Sequence, residues 1–220
     1  MSMAAPLAAE TPLAGTAASP RRRLSARAAA LIEQAAMSGA HFVVFLLFAR
    51  ELAPAQWGAF GFAYALVQFA QGIQRAWVTI PMVAYSTGAA WAPARAGWLR
   101  RNRGVAAAAV GSMLLAALAS LATLIFWGST AAWLPQALTL AAAMALPTMA
   151  HEFARRAAVQ EGRFGTLAAM GLVYAAALFG GWGLAQQLPP TWREWAPAGG
   201  VVVAAWLAAA LYRAGPRPPV

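Results

Sequence analysis

The chain contains no cysteine, no aspartate and no lysine, and only two histidines. Without cysteine there can be no disulfide, thiolate metal site or cysteine nucleophile. The six glutamates are spread along the chain, so the clustered carboxylates or activated nucleophile of a membrane-embedded enzyme are missing. The sequence therefore reads as a non-enzyme that calls for no cofactor. Charge is scarce as well. Of 220 residues, 10% are charged and 61% hydrophobic, with a mean hydropathy of +0.58, against about 25% charged in an ordinary globular domain. A soluble domain of this size could not cover its surface with so few charges. These proportions imply an integral membrane protein.

What charge there is comes from 16 arginines, giving a net charge of +10. Such basicity suits a nucleic-acid partner when the arginines form a patch. Here they fall in short runs between long apolar stretches, which excludes nucleic acid and matches the positive-inside rule. Residues 1–26 are rich in Ala, Pro, Thr and Ser and are expected to form a disordered basic tail. Arg21, Arg22, Arg23 and Arg27 precede an apolar segment too long for a signal peptide, and no small-residue cleavage site follows.

About 20 apolar residues in a helix cross a bilayer core of about 30 Å. Six segments qualify, near residues 28–49, 57–85, 104–127, 131–153, 164–188 and 195–212. Strands of alternating polarity, which a barrel needs, are absent. The expected fold is all-α, a six-helix transmembrane domain over 27–213 with a short tail at 214–220. If the six helices alternate, 13 arginines lie on one side and only Arg50 and Arg193 on the other. That asymmetry puts both termini in the cytoplasm. Trp57, Trp91, Trp98, Trp127, Trp133, Trp192 and Trp195 fall near helix ends, as an interfacial belt requires.

Polar residues inside the spans carry the functional signal, because a central charge costs roughly 2.5–3.5 kcal/mol. Glu33, Gln34, Ser38 and His41 share one face of the first helix, and Gln68, Gln71 and Arg75 share one face of the second. Both stripes are expected to face inwards and line a cavity. Glu33 and Arg75 have similar depths, so they either pair or share a hydrated cavity. The other reading has Arg75 snorkelling to the interface and Glu33 capping a helix start.

In the fourth segment, Pro147 is expected to kink the helix ahead of Thr148, His151, Glu152, Arg155 and Arg156. The His151-Glu152-Phe153-Ala154-Arg155 run lacks the second histidine of a zinc protease motif. It reads instead as an interfacial cluster of local ion pairs. Ala35/Gly39, Ala107/Gly111 and the Gly180-Gly181-Trp182-Gly183 run would permit close helix approach.

The order of several short motifs resembles the opening of polysaccharide and lipid-linked oligosaccharide flippases of the multidrug/oligosaccharidyl-lipid/polysaccharide exporter superfamily. Glu33-Gln34 and Ser38-Gly39 precede a long apolar run, and Arg50, Leu52, Pro54, Gly58 and Phe60 fit the turn into the second helix. Gln71-Gly72-Ile73-Gln74-Arg75, Glu152-Phe153-Ala154-Arg155-Arg156 and Gln160-Glu161-Gly162-Arg163 extend the likeness, which covers roughly 27–188. The resemblance implies a bacterial inner-membrane protein and a lipid-linked glycan substrate with an anionic headgroup, transported by two six-helix lobes that rock against each other. This chain supplies one lobe. Alternating access needs a second moving half, so the resemblance implies a homodimer or a second membrane subunit, surrounded by membrane lipids. The alternative is a non-transporting scaffold of a glycan-assembly complex. Such a scaffold would satisfy its polar stripes inside one bundle.

Overall fold

Proline and glycine set where several helices start, stop and change winding. The computed structural model describes residues 20–86, 88–127 and 133–215. They form α1 (Pro20–Glu51), α2 (Pro54–Gln74), a π-helical segment (Arg75–Thr79), α3 (Ile80–Tyr85) and a 3-10 turn (Gly88–Ala90). The chain continues through α4 (Trp91–Trp127), α5 (Trp133–Gln160), α6 (Phe164–Ala185), the single turn α7 (Pro190–Arg193) and α8 (Ala196–Ala214). Among the described residues there is no strand. Pro54 opens α2, where its missing N–H costs nothing, and the Ala53 N–H donates to Gln56 Oε1 at 3.2 Å. The end of α5 is sealed by Gly162 in the left-handed region (φ 65°). There the Arg163 N–H donates to the Ala158 carbonyl and the Gly162 N–H to Val159, a Schellman closure.

Pro81 explains the π-helical segment. It has no N–H to offer Trp77, and its ring would strike that carbonyl. The chain widens instead, and the Ile80 N–H reaches back five residues to the Arg75 carbonyl. The rod from Pro54 to Tyr85 therefore stays continuous, with Arg75 at the start of its irregular turn.

Four helices are long and apolar enough to cross a membrane: Ala26–Glu51, Trp91–Phe126, Phe164–Ala185 and Ala196–Ala214. The α2 rod and α5 fall short of the same measure, for a reason seen in the packing. α5 is the central helix, touching α2, α4, α6 and α8, and 16 of its 28 residues are buried. A helix shielded by its neighbours can carry polar side chains that a lipid-facing one cannot. α4 is its opposite, with Leu115, Leu118, Ile125 and Phe126 each more than 60% exposed on an apolar outer face.

Beyond α5, the chain of packing runs from α8 to α6 and from α6 to α1. Glycine permits two of these approaches. A Cβ on Gly171 would lie 2.6 Å from the Glu33 Cα, and one on Gly181 would lie 3.1 Å from the Gly200 Cα. Gly39 and Gly111, by contrast, have nothing within 4 Å of that position.

Several boundaries differ from the sequence expectation. Residues 95–103, expected as a loop, are the first turns of α4. Pro93 sits in the opening turn, and the Ala, Leu, Trp and Arg that follow do not break a helix. α5 continues through Pro147 and seven residues past the expected end at 153. The expected tail is helical from Pro20, while residues 1–19 and 216–220 lie outside the described residues. Trp91, expected in an interfacial belt, is buried, and Trp98 is half-buried. Trp91 donates to Glu161 at 3.2 Å and Trp98 to Ser86 Oγ at 2.6 Å.

Side-chain bonds tie the bundle at both ends. At one end Glu161 accepts from the Tyr212 hydroxyl at 2.7 Å and pairs with Arg95 at 3.2 Å and Arg163 at 3.3 Å. Arg163 also donates to the Tyr212 carbonyl at 2.9 Å and stacks on its ring. At the other end Gln186 donates to Glu51 at 2.6 Å and Gln56 to Glu194 at 3.1 Å.

Candidate functional site

α1 and α2 run antiparallel, and aromatic rings join them along one stretch. His41 and Phe45 face Tyr64 at 5.8 and 5.1 Å between ring centroids, and Phe45 meets Phe60 at 5.1 Å. From that seam toward the arginine-rich end, Gln34 and Ser38 come level with Gln71 and Gln68 by helical rise. The α1 and α2 backbones make little direct approach to each other. At the arginine-rich end a polar groove opens along α1 over α5 and α6.

Two buried carboxylates form the groove's floor. Glu33 and Glu152 are each 2% exposed, and carboxylates removed from water persist only with matched cations. Arg155 serves both. It meets Glu33 side-on through Nε and Nη2, the latter at 2.7 Å, and gives Nη1 to Glu152 Oε2 at 2.7 Å. The second oxygen of Glu152 takes Arg156 at 3.1 Å and Arg75 at 3.5 Å. Three guanidiniums and two carboxylates from α1, the π-helical segment and α5 thus form one network with a single positive charge in excess. Arg155 is enclosed, whereas the side chains of Arg75 and Arg156 are 46% exposed. Alongside lies an open groove of about 610 Å³ bordered by Arg27, Glu33, Gln34, Arg155 and Arg156.

A second polar tier lies toward the seam. The His41 Nε2 and Tyr174 hydroxyl are 2.9 Å apart. Buried His151 stacks on the Tyr174 ring, 5.1 Å between centroids and 18° between planes, and its Nε2 has no partner among the described residues. No group of three His or Glu side chains suited to a metal ion occurs among the described residues.

Of the six residues singled out by the sequence, Glu33 and Gln34 line this groove and Arg75 joins the ion network beside it. His41 lies in a separate apolar recess with Phe45, Trp57 and Tyr64, and Gln68 and Gln71 line neither. Glu33 and Arg75 share the network without touching, joined through Arg155 and Glu152. The stripes do not turn fully inwards. Gln34 is exposed and donates to Ser38 at 2.8 Å, Gln68 is exposed beside the Tyr64 hydroxyl, and Gln71 and His41 are half-buried. The fully enclosed amide of α2 is Gln74, which faces the other way. It donates to Asn102 Oδ1 and to the Met149 carbonyl, both at 2.6 Å. Sequence reasoning found the local pairs of Glu152 with Arg155 and Arg156 but missed their reach to Glu33. It also missed Gly171, which lets α1 settle on α6, and Tyr174. The only hint of Tyr174 was its hydroxyl in an otherwise apolar segment. Set beside family models, curated proteins and solved structures, the chain matches none of them.

Proposed function

We propose that this chain is one lobe of a flippase-like transporter for an anionic lipid-linked glycan in a bacterial inner membrane, completed by a second copy or a separate subunit. In this reading all six long rods cross the bilayer, with both termini cytoplasmic. α2 and α5 cross shielded by their neighbours. The end carrying Arg95, Arg163 and Arg213 is the cytoplasmic one, by the same bias that orients membrane helices generally.

One observation carries the reading: the polar groove stays open. Gln34, Ser38 and Gln68 are exposed, and Arg75 and Arg156 keep nearly half their side-chain surface. Lipid solvates such a face poorly, whereas a facing lobe and the water between them would solvate it well. A net-positive, partly hydrated surface also attracts a phosphate-bearing headgroup. A scaffold would gain from the satisfied Glu33–Arg155 pair but has no use for the exposed cations beside it. The test is the mass of the protein in mild detergent, measured by light scattering. A dimer, or a stoichiometric co-purifying membrane subunit, is the expected result. A strict monomer with no partner removes the half-transporter reading.

A further inference from the structure

On the opposite face of α5 from the ion network, a second cleft runs between α4 and α8, which both pack on α5 without closing on each other. Its volume is about 350 Å³. The walls change character along its length. Toward the middle of the helices they are apolar, with Ala106 from α4, Leu146 and Phe153 from α5, and Trp206 and Ala209 from α8. At the basic end stand Arg95, Arg103 and Arg213. Arg95 is already held by Glu161 and Tyr212. Arg103 and Arg213 are exposed, and no carboxylate among the described residues pairs with either. The charges here do not cancel: Arg95, Arg103, Arg163 and Arg213 face the single carboxylate of Glu161.

Depth fits the same picture. From Arg103 to the end of α4 at Trp127 is about 36 Å of helix, a little more than a hydrocarbon core. Arg103 therefore stands at headgroup level when the apolar remainder of α4 is in the bilayer, and Arg213 in the last turn of α8 lines the same cleft on its outer side, near the level of Arg95. Below them Leu146 and Trp206 are 43% and 39% exposed, so apolar surface remains open in the cleft. A site with cations at the headgroup plane and apolar walls beneath matches an amphiphile carrying a negative phosphodiester.

We propose that the α4–α8 cleft is a binding site for an anionic phospholipid of the adjoining leaflet, its phosphodiester between Arg103 and Arg213 and an acyl chain against Leu146 and Trp206. This site needs only that α4 and α8 cross the bilayer. It does not depend on the transport reading, and it lies away from the groove where that reading would fail.

Native mass spectrometry of the full chain from detergent, with dioleoyl phosphatidylglycerol or dioleoyl phosphatidylcholine added, tests it. Phosphatidylglycerol should be retained as a discrete one-lipid adduct in preference to phosphatidylcholine. Each arginine near a membrane surface is worth about a fivefold change in binding of an anionic lipid. R103Q should therefore weaken phosphatidylglycerol retention about fivefold and R103Q/R213Q about 25-fold. R101Q is the control, because Arg101 carries the same charge at the same end but stacks on Trp98 outside the cleft. Equal losses in R101Q and R103Q, or equal retention of the two lipids by the wild type, would overturn the site. A measurement that leaves the arginines in place guards against misfolding. Phosphatidylglycerol brominated on its acyl chains should quench a component of the tryptophan emission that W206F removes, and unchanged quenching in W206F refutes the assigned position.

Discussion

Replacing Gly171 by alanine tests the link between helix packing and the polar site. The new methyl carbon would lie 2.6 Å from the Glu33 Cα and 3.0 Å from the Glu33 carbonyl oxygen. Carbon atoms settle at about 3.5–4.0 Å, so the overlap is about 1 Å, and it falls on backbone that cannot rotate away. α1 must lift from α6, carrying Glu33 off Arg155. Overpacking of this kind costs about 1–3 kcal/mol, beyond the roughly 1 kcal/mol that alanine gains over glycine within a helix. Gly180 supplies the control on the same helix, with nothing within 4 Å of its Cβ position, so G180A keeps the propensity gain alone. The two variants should differ by about 2–4 kcal/mol in opposite directions from wild type, or roughly 4–16 °C in unfolding midpoint for a chain of this size. Thermal unfolding in one detergent, followed by circular dichroism, measures the difference. G181A should fall between them, because its methyl meets Gly200 at 3.1 Å. If G171A and G180A unfold together, the close α1–α6 approach is wrong, and with it the cause given for the burial of Glu33.

Two further outcomes follow from how the polar groups are held. R155Q strands the buried carboxylate of Glu33, while Glu152 keeps Arg156 and Arg75, and should destabilise by about 3–5 kcal/mol, whereas R75Q breaks a half-exposed pair and should cost less than about 1 kcal/mol. Chemical denaturation of both variants compares them, and an equally damaging R75Q would contradict the division of the network into an enclosed and an open cation. Q74L leaves the Asn102 oxygen buried without its donor, at about 1–3 kcal/mol. Q74L/N102L should recover part of that loss, and a double variant no better than the sum of the singles would show that the two amides are not coupled.

The rods were legible because a bilayer demands long apolar runs, and each of the six expected segments overlaps one observed rod. Their ends were less legible. Arginines at 95–103 interrupt an apolar run without ending a helix, so α4 runs straight through a stretch that charge alone suggested was a loop. Glu33 and Arg75 stood out as charges too costly to leave in lipid unpartnered. Their partners did not, because the Glu33–Arg155 pair spans 122 positions and depends on how closely α1 can approach α6. That approach is set by one glycine among 19, and nothing in the sequence separates Gly171 from Gly39 or Gly111. The opening of the stripes to one side escaped for a related reason. Periodicity says which residues share a face, and only the packing of α1 on α6 and α2 on α5 says that Gln34, Ser38 and Gln68 stay exposed.

The network's asymmetry decides what the groove can do. Arg155 is bonded to both carboxylates in a buried setting, and releasing it would leave Glu33 without a cation, so it acts as a fixed strut between α1 and α5. Arg75 is different in every respect. Its only carboxylate partner among the described residues is Glu152 at 3.5 Å, the longest pair in the cluster, and half of its side chain is already open. Glu152 would still hold Arg155 and Arg156 if Arg75 left. An anion arriving in the groove therefore competes with a pair worth about 0–1 kcal/mol rather than with one worth several. The residue it would draw away sits at the first position of the π-helical segment, where Pro81 has already loosened the hydrogen-bond register. Within this network the cation with the weakest hold stands where the helix changes its winding, next to a floor that Arg155 ties together.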